Sequence, residues 1–512
     1  MFPLNFFVKL KFYSRYRQIE FFKKNPVEAQ LEVFFDLLDK AKTTFWGKKY
    51  NYETIIQSSS AEDALRLFKE NVPISSYDDL RSEIDRICNL EENVLWPGKI
   101  KHLAKSSGTT GSKSKIIPIS DDSLEDYHYK GGQDVLACYY KINPETNIFL
   151  GKTISVGGSF DANFNNVNCG DLSAILMNNL PFWASPFRSP KLPIALLNNW
   201  EEKLEEMAKE TMNENIVALA GVPSWTLLVV KKVLEISKKN NIFDVWPNLE
   251  LFMHGGVSFS PYKEQFKELI PGNKMNYLEI YNASEGFFAF NDDLSRDDML
   301  LMLDLGVFYE FIPLSDLDKD NPRVLNIKEV ELNKTYALVI STNGGLWRYL
   351  IGDTIQITSL RPIKIKIVGR TKHFINVFGE ELMVGNTDKA LEIALNKNEA
   401  SINDYTVCPI FMDGKNKGGH EWLIEFDKHP ANLEKFVIDL DEALKSLNSD
   451  YEAKRYKDMI LSLPKLNVAR KNLFYDWLKK RGKLGGQNKV PRLSNSREYL
   501  EELLGFDLNK NI

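Results

Sequence analysis

The densest group of chemistry-bearing residues lies in "AKSSGTTGSKSKIIPIS", Ala104 to Ser120. Ser106, Ser107, Gly108, Thr109, Thr110 and Gly111 run together there, with Lys113 and Lys115 close behind. No acid occurs from Asn93 to Ser120. Hydroxyls donate hydrogen bonds, and glycines let successive backbone N–H groups converge on one point, so the run suits an anion, above all phosphate. The GxxxxGK[ST] loop of nucleotide hydrolases does not fit. Lys113 follows Gly111 after one residue, and "KIIPIS" reads as a strand because Pro118 interrupts any helix. A polar surface hairpin is the other reading of the same residues.

Three further stretches carry candidate groups. "LEIYNASEGFFAF" places Tyr281, Ser284 and Glu285 at the end of an apolar strand. A carboxylate there needs a partner. A magnesium ion is one candidate, since it takes one or two carboxylates plus phosphate oxygens; a lysine or arginine is another. "GGLWRYLIGDTIQI" places Gly352 and Asp353 at a turn between strands, where Asp353 either bonds its own backbone or accepts both hydroxyls of a ribose. "KLGGQNKVPRLSNSREYLEEL" carries Lys489 between glycines and a proline, so this lysine rides a loop. It is either solvated or brought to a phosphate.

The elements that must position these groups are legible in outline. Apolar residues spaced three and four apart make residues 25 to 90 helical. From about residue 96 short strands and Gly/Ser/Asn loops alternate with helices such as "NNWEEKLEEMAKETM", a pattern of α/β or α+β layers. The alternating "IKIKIVG" opens a further set of elements, which places a domain boundary near residue 365 and leaves a second domain of natural size beyond it.

Bulk properties exclude several classes. The 512 residues exceed one typical domain, and the hydrophobic share of 43% is that of a globular protein. A formal charge of −5 argues against nucleic acid as partner. Cys88, Cys138, Cys169 and Cys408 show no metal or disulfide spacing, so a reduced, cytoplasmic setting is expected. No run of eighteen apolar residues occurs, so stable membrane insertion is not expected. The basic, aromatic N-terminal stretch reads as a helix docking on its own domain, with a membrane surface or a partner as the alternative. Oligomeric state is not readable.

Taken together, the ordered stretches resemble the auxin-responsive acyl-acid amido synthetases of plants, the Gretchen Hagen family within the adenylate-forming superfamily. "SSGTTGSKSKIIP" resembles the first family motif, "YNASE" the second and "YLIGD" the third. "WPNLELFMHGG", "GHEWLIEF", "LNSDYEAKR" and "GGQNKVPR" add support, so the likeness spans most of the chain. The resemblance implies an α/β fold with a large N-terminal multilayer domain (1–365) and a smaller, mobile α+β domain (366–512). It implies ATP and magnesium (Mg2+), a small carboxylic acid and an amine, an amino acid, as reactants. Ser106, Ser107, Gly108, Thr109, Thr110 and Lys115 would serve the phosphates. Tyr281, Ser284 and the Gly255–Gly256 turn would border adenine and acyl groups. Glu285 would bind the metal, Asp353 the ribose, and Lys489 would promote adenylation, with Arg370 a further nucleotide contact.

Two departures from the family pattern stand out. Leu350 occupies the place where the third motif has arginine, with Arg348 two residues earlier, and Gly111 comes one position early in the first. The implied chemistry forms an acyl-adenylate and then an amide, the small domain rotating about a hinge in residues 355 to 370 between the steps. His102, His254 and His373 are candidate bases for the amine. "AGVPSWTLLV" (Ala220 to Val229) and "SVGGSFDANFNN" are candidate walls for the acid. An acyl-CoA ligase and a non-catalytic protein of the same fold are the alternatives.

Overall fold

The computed structural model describes residues 2–106, 115–160, 168–182, 184–259, 262–317, 319, 321–371, 374–375, 380, 382–411, 418–455, 461–484, 490–494 and 496–508. The first 100 residues are helical, as their periodicity requires. Pro26–Ala41, Ala61–Asn71 and Arg81–Cys88 follow the long N-terminal helix Phe2–Lys24. Ser60 accepts a hydrogen bond from the Asp63 amide to start one of them, the usual remedy for unpaired amides at a helix start. The second half of the N-terminal helix docks on the protein itself. Ile19 and Phe22 are buried, and Arg15 reaches both Asp134 and Asp304.

Fourteen strands make up the large domain among the described residues: β1 His102–Ser106, β2 Lys115–Ile119, β3 Lys152–Val156, β4 Asn168–Gly170, β5 Arg188–Ser189, β6 Ile216–Gly221, β7 Leu251–Gly255, β8 Asn276–Ala283, β9 Gly286–Phe290, β10 Met299–Leu301, β11 Val307–Pro313, β12 Thr335–Thr342, β13 Tyr349–Leu360 and β14 Ile363–Arg370. Eleven form one sheet in the order β11-β12-β13-β14-β10-β9-β8-β7-β6-β3-β5. Its β5-β3-β6-β7-β8 half is parallel and the β8-to-β11 half antiparallel. The parallel strands are joined by helices such as Trp200–Thr211 and Pro223–Ser237, the crossovers a parallel sheet demands. β1 and β2 pair antiparallel in a separate small sheet with β4. "KIIPI" is therefore a strand, with Pro118 in a sheet of only three strands.

One expected feature lies elsewhere. "IKIKIVG" does not open the second unit. It is β14, returning antiparallel along β13 with Leu360 opposite Ile363 and Asp353 opposite Arg370. Alternation signals a strand but not the sheet that receives it, so the boundary expected near residue 365 falls inside a strand of the large sheet. The residues 355–370 expected to form a hinge are likewise spanned by ladder bonds between β13 and β14. Beyond β14, helices Val384–Lys397 and Leu433–Leu447 pack on a small sheet of Ser401–Ile410, Gly419–Lys428 and Lys465–Val468. Their core holds Leu391, Tyr405, Trp422 and Phe436. A different apolar cluster joins the two units, with Trp200, Trp225 and Val229 on one side and Phe474, Trp477 and Leu500 on the other.

Candidate functional site

The carboxyl ends of parallel strands are where open α/β sheets place their ligands. Here β7 ends at Gly255, and β8 ends in a two-residue turn, Ser284–Glu285, that folds straight back into β9. β7 and β8 approach so closely that a side chain on Gly255 would meet the Ile280 carbonyl at 2.2 Å. Gly256 follows with φ at +82°, a conformation open to glycine, so this turn stays flush against the strand that carries the acid.

Glu285 is buried, with 6% of its surface exposed. Burial raises its carboxyl above the usual range; Lys115 and Arg370 oppose that rise, and Asp353 adds to it. Among the described residues no base closes an ion pair on it. Ser284 beside it is equally deep, and its Oγ has no hydrogen-bond partner among the described residues. A buried carboxylate and an orphaned hydroxyl on one turn are groups that a ligand would satisfy.

Asp353 and Arg370 face each other across β13 and β14. Arg370 Nε lies 2.9 Å from Asp353 Oδ1, and Tyr281 donates its hydroxyl to Asp353 Oδ2 at 2.6 Å. Gly352, at φ +92°, makes the bend just before Asp353, and its carbonyl accepts from the Thr371 amide at 2.8 Å. Asp353 does not spend itself on its own turn. Arg370 remains 46% exposed, at the open side of the cluster, and Asp353 raises its pKa further.

Lys115, first residue of β2, donates to the Tyr349 hydroxyl at 3.1 Å and stands over the Tyr349 and Tyr77 rings. Tyr77 also accepts from the Ile116 amide at 2.9 Å. Burial, then Glu285, raises the Tyr349 hydroxyl far above the ordinary phenol range. The Lys115 charge thus favours an ionised Glu285 from the small sheet, while Tyr349 links Lys115 to the start of β13.

Lys115, Tyr281, Ser284, Glu285, Asp353 and Arg370 therefore converge, with Gly255 and Gly256 alongside on the neighbouring strand end. Ser106 ends β1 directly opposite Lys115. Ser107, Gly108, Thr109, Thr110 and Lys489 lie outside the described residues, as does His373. Arg348 is not at this site. Its guanidinium pairs with Glu310 at 2.8 Å, inside the core, and donates to the Lys69 and Val72 carbonyls. It does not replace the arginine missing at Leu350.

The two described candidate bases are poor ones. Burial lowers His102, and pushes His254 down to about 3 while it stacks on Phe259 with centroids 4.5 Å apart. Sequence reasoning missed Tyr77, Tyr127, His128 and Tyr349. Tyr127 and His128 share a widened helical turn, Leu124–Tyr129. His128 Nδ1 lies 3.1 Å from Asn282 Oδ1, and burial pushes this imidazole down to about 3. Only Tyr349 had a signal, the first letter of "YLIGD". Of the candidate acid walls, Ala220 and Gly221 end β6, and the buried Thr226 Oγ1 behind them has no hydrogen-bond partner among the described residues.

The GH3 family N-terminal domain matches residues 15–275, the central domain 300–370 and the C-terminal domain 385–498. An indole-3-acetic acid-amido synthetase of Arabidopsis thaliana is 23% identical, over 95% of this chain and 92% of its own. A 4-substituted benzoates-glutamate ligase of the same plant is 23% identical over 85% of this chain and 89% of its own. Among solved structures, an acyl acid amido synthetase superposes with a TM-score of 0.76 at 18% identity, covering 96% of this chain and 95% of that one.

Proposed function

The chain belongs to the GH3 family, and on that premise we propose that it joins a carboxylic acid to an amino acid at the expense of ATP. In the first step a carboxylate oxygen of the acid attacks the α-phosphorus. The bond to the bridging oxygen breaks, and pyrophosphate leaves with its electron pair. In the second, a neutral amine nitrogen attacks the activated carbonyl, AMP departs and the nitrogen gives up a proton. The observation that carries this reading is the convergence of Lys115, Glu285, Asp353 and Arg370 at the carboxyl ends of the parallel strands.

Each residue has a task its chemistry suits. Asp353, already anchored by Tyr281 and Arg370, keeps lone pairs for ribose hydroxyls. Lys115 faces the phosphates, together with Ser106 and the residues 107–110. Lys489, by resemblance, offsets charge at the α-phosphate. Glu285 would hold magnesium, which fits a deep carboxylate with no basic partner among the described residues; the ion would help to neutralise the crowded anions. Positioning and electrostatics then supply most of the rate. Four free cysteines suit a reducing compartment, and we place the enzyme in the cytoplasm. No helix of the described residues is long and apolar enough to cross a membrane.

An acid-by-amine screen for ATP-dependent pyrophosphate release tests the reading. Release that needs an acid, with AMP and an amide formed when an amino acid is added, is expected. Acyl transfer to coenzyme A alone would make the protein a thioester-forming ligase. Failure with every acid would overturn the proposal.

A further inference from the structure

The two faces of β8 meet different parts of a ligand. Side chains alternate along a strand, so Tyr281 turns one way, to Asp353, and Asn282 turns the other, with Leu278 and Ile280. Register carries this second face across the sheet: Leu278 pairs with Met253 on β7, and Met253 with Ala220 on β6. The helix Lys130–Ile142 covers the same face, since a side chain on Gly131 would meet the ring of Phe287, the residue opposite Asn282 in the hairpin. Met253, Ile280, Tyr129 and Leu176 are half-buried against the apolar core, and Tyr129 donates its hydroxyl to the Leu176 carbonyl at 3.0 Å. With the ribose on the Tyr281 side, this apolar face is left for the body of the acid.

Asn282 brings a polar group to that face, and its side chain is exposed where Tyr281 and Ser284 are buried. Its Oδ1 lies 3.1 Å from His128 Nδ1. His128 is 4% exposed, in the widened turn Leu124–Tyr129, and its Nε2 has no hydrogen-bond partner among the described residues. Burial keeps the ring neutral. An amide oxygen only accepts, so the ring proton sits on Nδ1 and Nε2 is a bare lone pair. Turning the amide over would move that proton to Nε2 and bury an N–H without an acceptor among the described residues, the rarer and costlier arrangement. His128 therefore holds the Asn282 oxygen and leaves the NH2 free to donate elsewhere; it has no hydrogen-bond partner among the described residues. Three residues, no more than about 10 Å of chain, separate Asn282 from Glu285. The NH2 thus meets the acid near its reacting end, at the first carbons beyond the carboxyl group.

We propose that Asn282, oriented by His128, is a specificity-determining residue that selects carboxylic acids carrying a hydroxyl or keto oxygen on the second or third carbon. The NH2 donates to that oxygen while the apolar face takes the remainder of the acid. This inference names the substrate class of the reaction proposed above and rests on it. An acid without the oxygen displaces water from the NH2 and offers no acceptor in return, which is the source of the discrimination. One neutral hydrogen bond is worth about ten-fold in selectivity.

Acid-dependent exchange of labelled pyrophosphate into ATP tests this in the full chain, with acids compared in sets that differ by that one oxygen. The first sets are butyric acid with 2- and 3-hydroxybutyric acid, and 3-phenylpropionic acid with its 2- and 3-hydroxy derivatives. The acid selected by the screen is compared with its own analogue in the same way. In wild type, kcat/KM should be about ten-fold higher for a hydroxy acid than for its parent. Asn282→Ala should bring that ratio close to one with a nearly unaltered melting temperature, because the side chain is exposed. His128→Phe keeps an aromatic ring and frees the amide to turn over, so the ratio should fall in the same direction by less, again without loss of melting temperature. A merely structural His128 would leave the ratio where it was. A wild type with no preference for the oxygenated acid overturns the inference. So do equal losses for both acids in Asn282→Ala, which would put the NH2 on the reacting carboxylate instead. No exchange with any acid would sink the proposed function and this inference with it, whereas exchange whose selectivity ignores Asn282 would sink the inference alone.

Discussion

Replacing Asp353 with asparagine should weaken ATP binding through the ribose and leave the rest of the site standing. Two carboxylate oxygens offer about four lone-pair sites. Tyr281 uses one on Oδ2 and Arg370 one on Oδ1, so two are left, which matches the two hydroxyls of a ribose. In Asp353→Asn the amide oxygen must stay with Arg370, because the NH2 group would meet only donors there. The NH2 then faces Tyr281, and at most one lone pair remains for the nucleotide. The loss is one or two bonds to a charged acceptor, about 1.5–3 kcal/mol for each, so Kd for ATP rises by roughly 10- to 150-fold at the level of a single bond. The fold should lose only about 1 kcal/mol, since the Tyr281 contact survives with its polarity reversed. Isothermal titration of wild type and variant with ATP and with 2′-deoxy-ATP separates the terms. The variant's penalty should shrink with the deoxy analogue, the coupling expected of two groups in contact. An unchanged affinity for ATP, or an equal penalty for both nucleotides, would refute the assignment of Asp353 to the ribose.

Other consequences follow from the same geometry. Lys489→Ala should cut pyrophosphate exchange by about 100-fold or more with the melting curve intact, while unchanged turnover would remove the lysine from the mechanism. Glu285→Gln should abolish acid-dependent pyrophosphate release yet keep or raise thermal stability at neutral pH, because burial works against the ionised carboxylate it removes; a strongly destabilised variant would count against that account. Glu279, on β8, is pushed up to about 7 by burial, with Asp297 and Asp388 adding repulsion and Lys366 opposing. Its folded pKa is raised, so its contribution to stability is fully present below the unfolded value of about 4.3 and is lost as pH rises to and through about 7. Denaturation of Glu279→Gln should therefore show a flatter stability profile between those limits, and an identical profile would contradict it.

The candidate residues that the structure brings together could be picked out because they break local rules. A carboxylate closing the apolar β8–β9 hairpin, an aspartate after a glycine in an apolar run, and hydroxyls crowded with glycines are all costly unless something binds there. What could not be read is where distant strands bring neighbours together. Tyr77 comes from the helical N-terminal region and Tyr349 from β13, yet both flank Lys115. A single phenol in an apolar stretch looks like core until the fold places it. Arg348 shows the same limit from the other side. Whether it could stand in for the arginine absent at Leu350 could not be read from the sequence, and its side chain turns inward to Glu310. The second unit shows the limit of pattern alone: "IKIKIVG" alternates as well in a returning hairpin as in a new sheet, and only pairing with β13 decides.

A cleft that joins the carboxyl group to AMP before any amine arrives makes that group electrophilic in a separable first step. Acid-dependent exchange of labelled pyrophosphate into ATP measures that step alone. Exchange should require a carboxylic acid and Mg2+, proceed without amine, and disappear in Glu285→Gln. ATP bound tightly with no exchange under any acid, or exchange that starts only when amine is added, would contradict a separable first step.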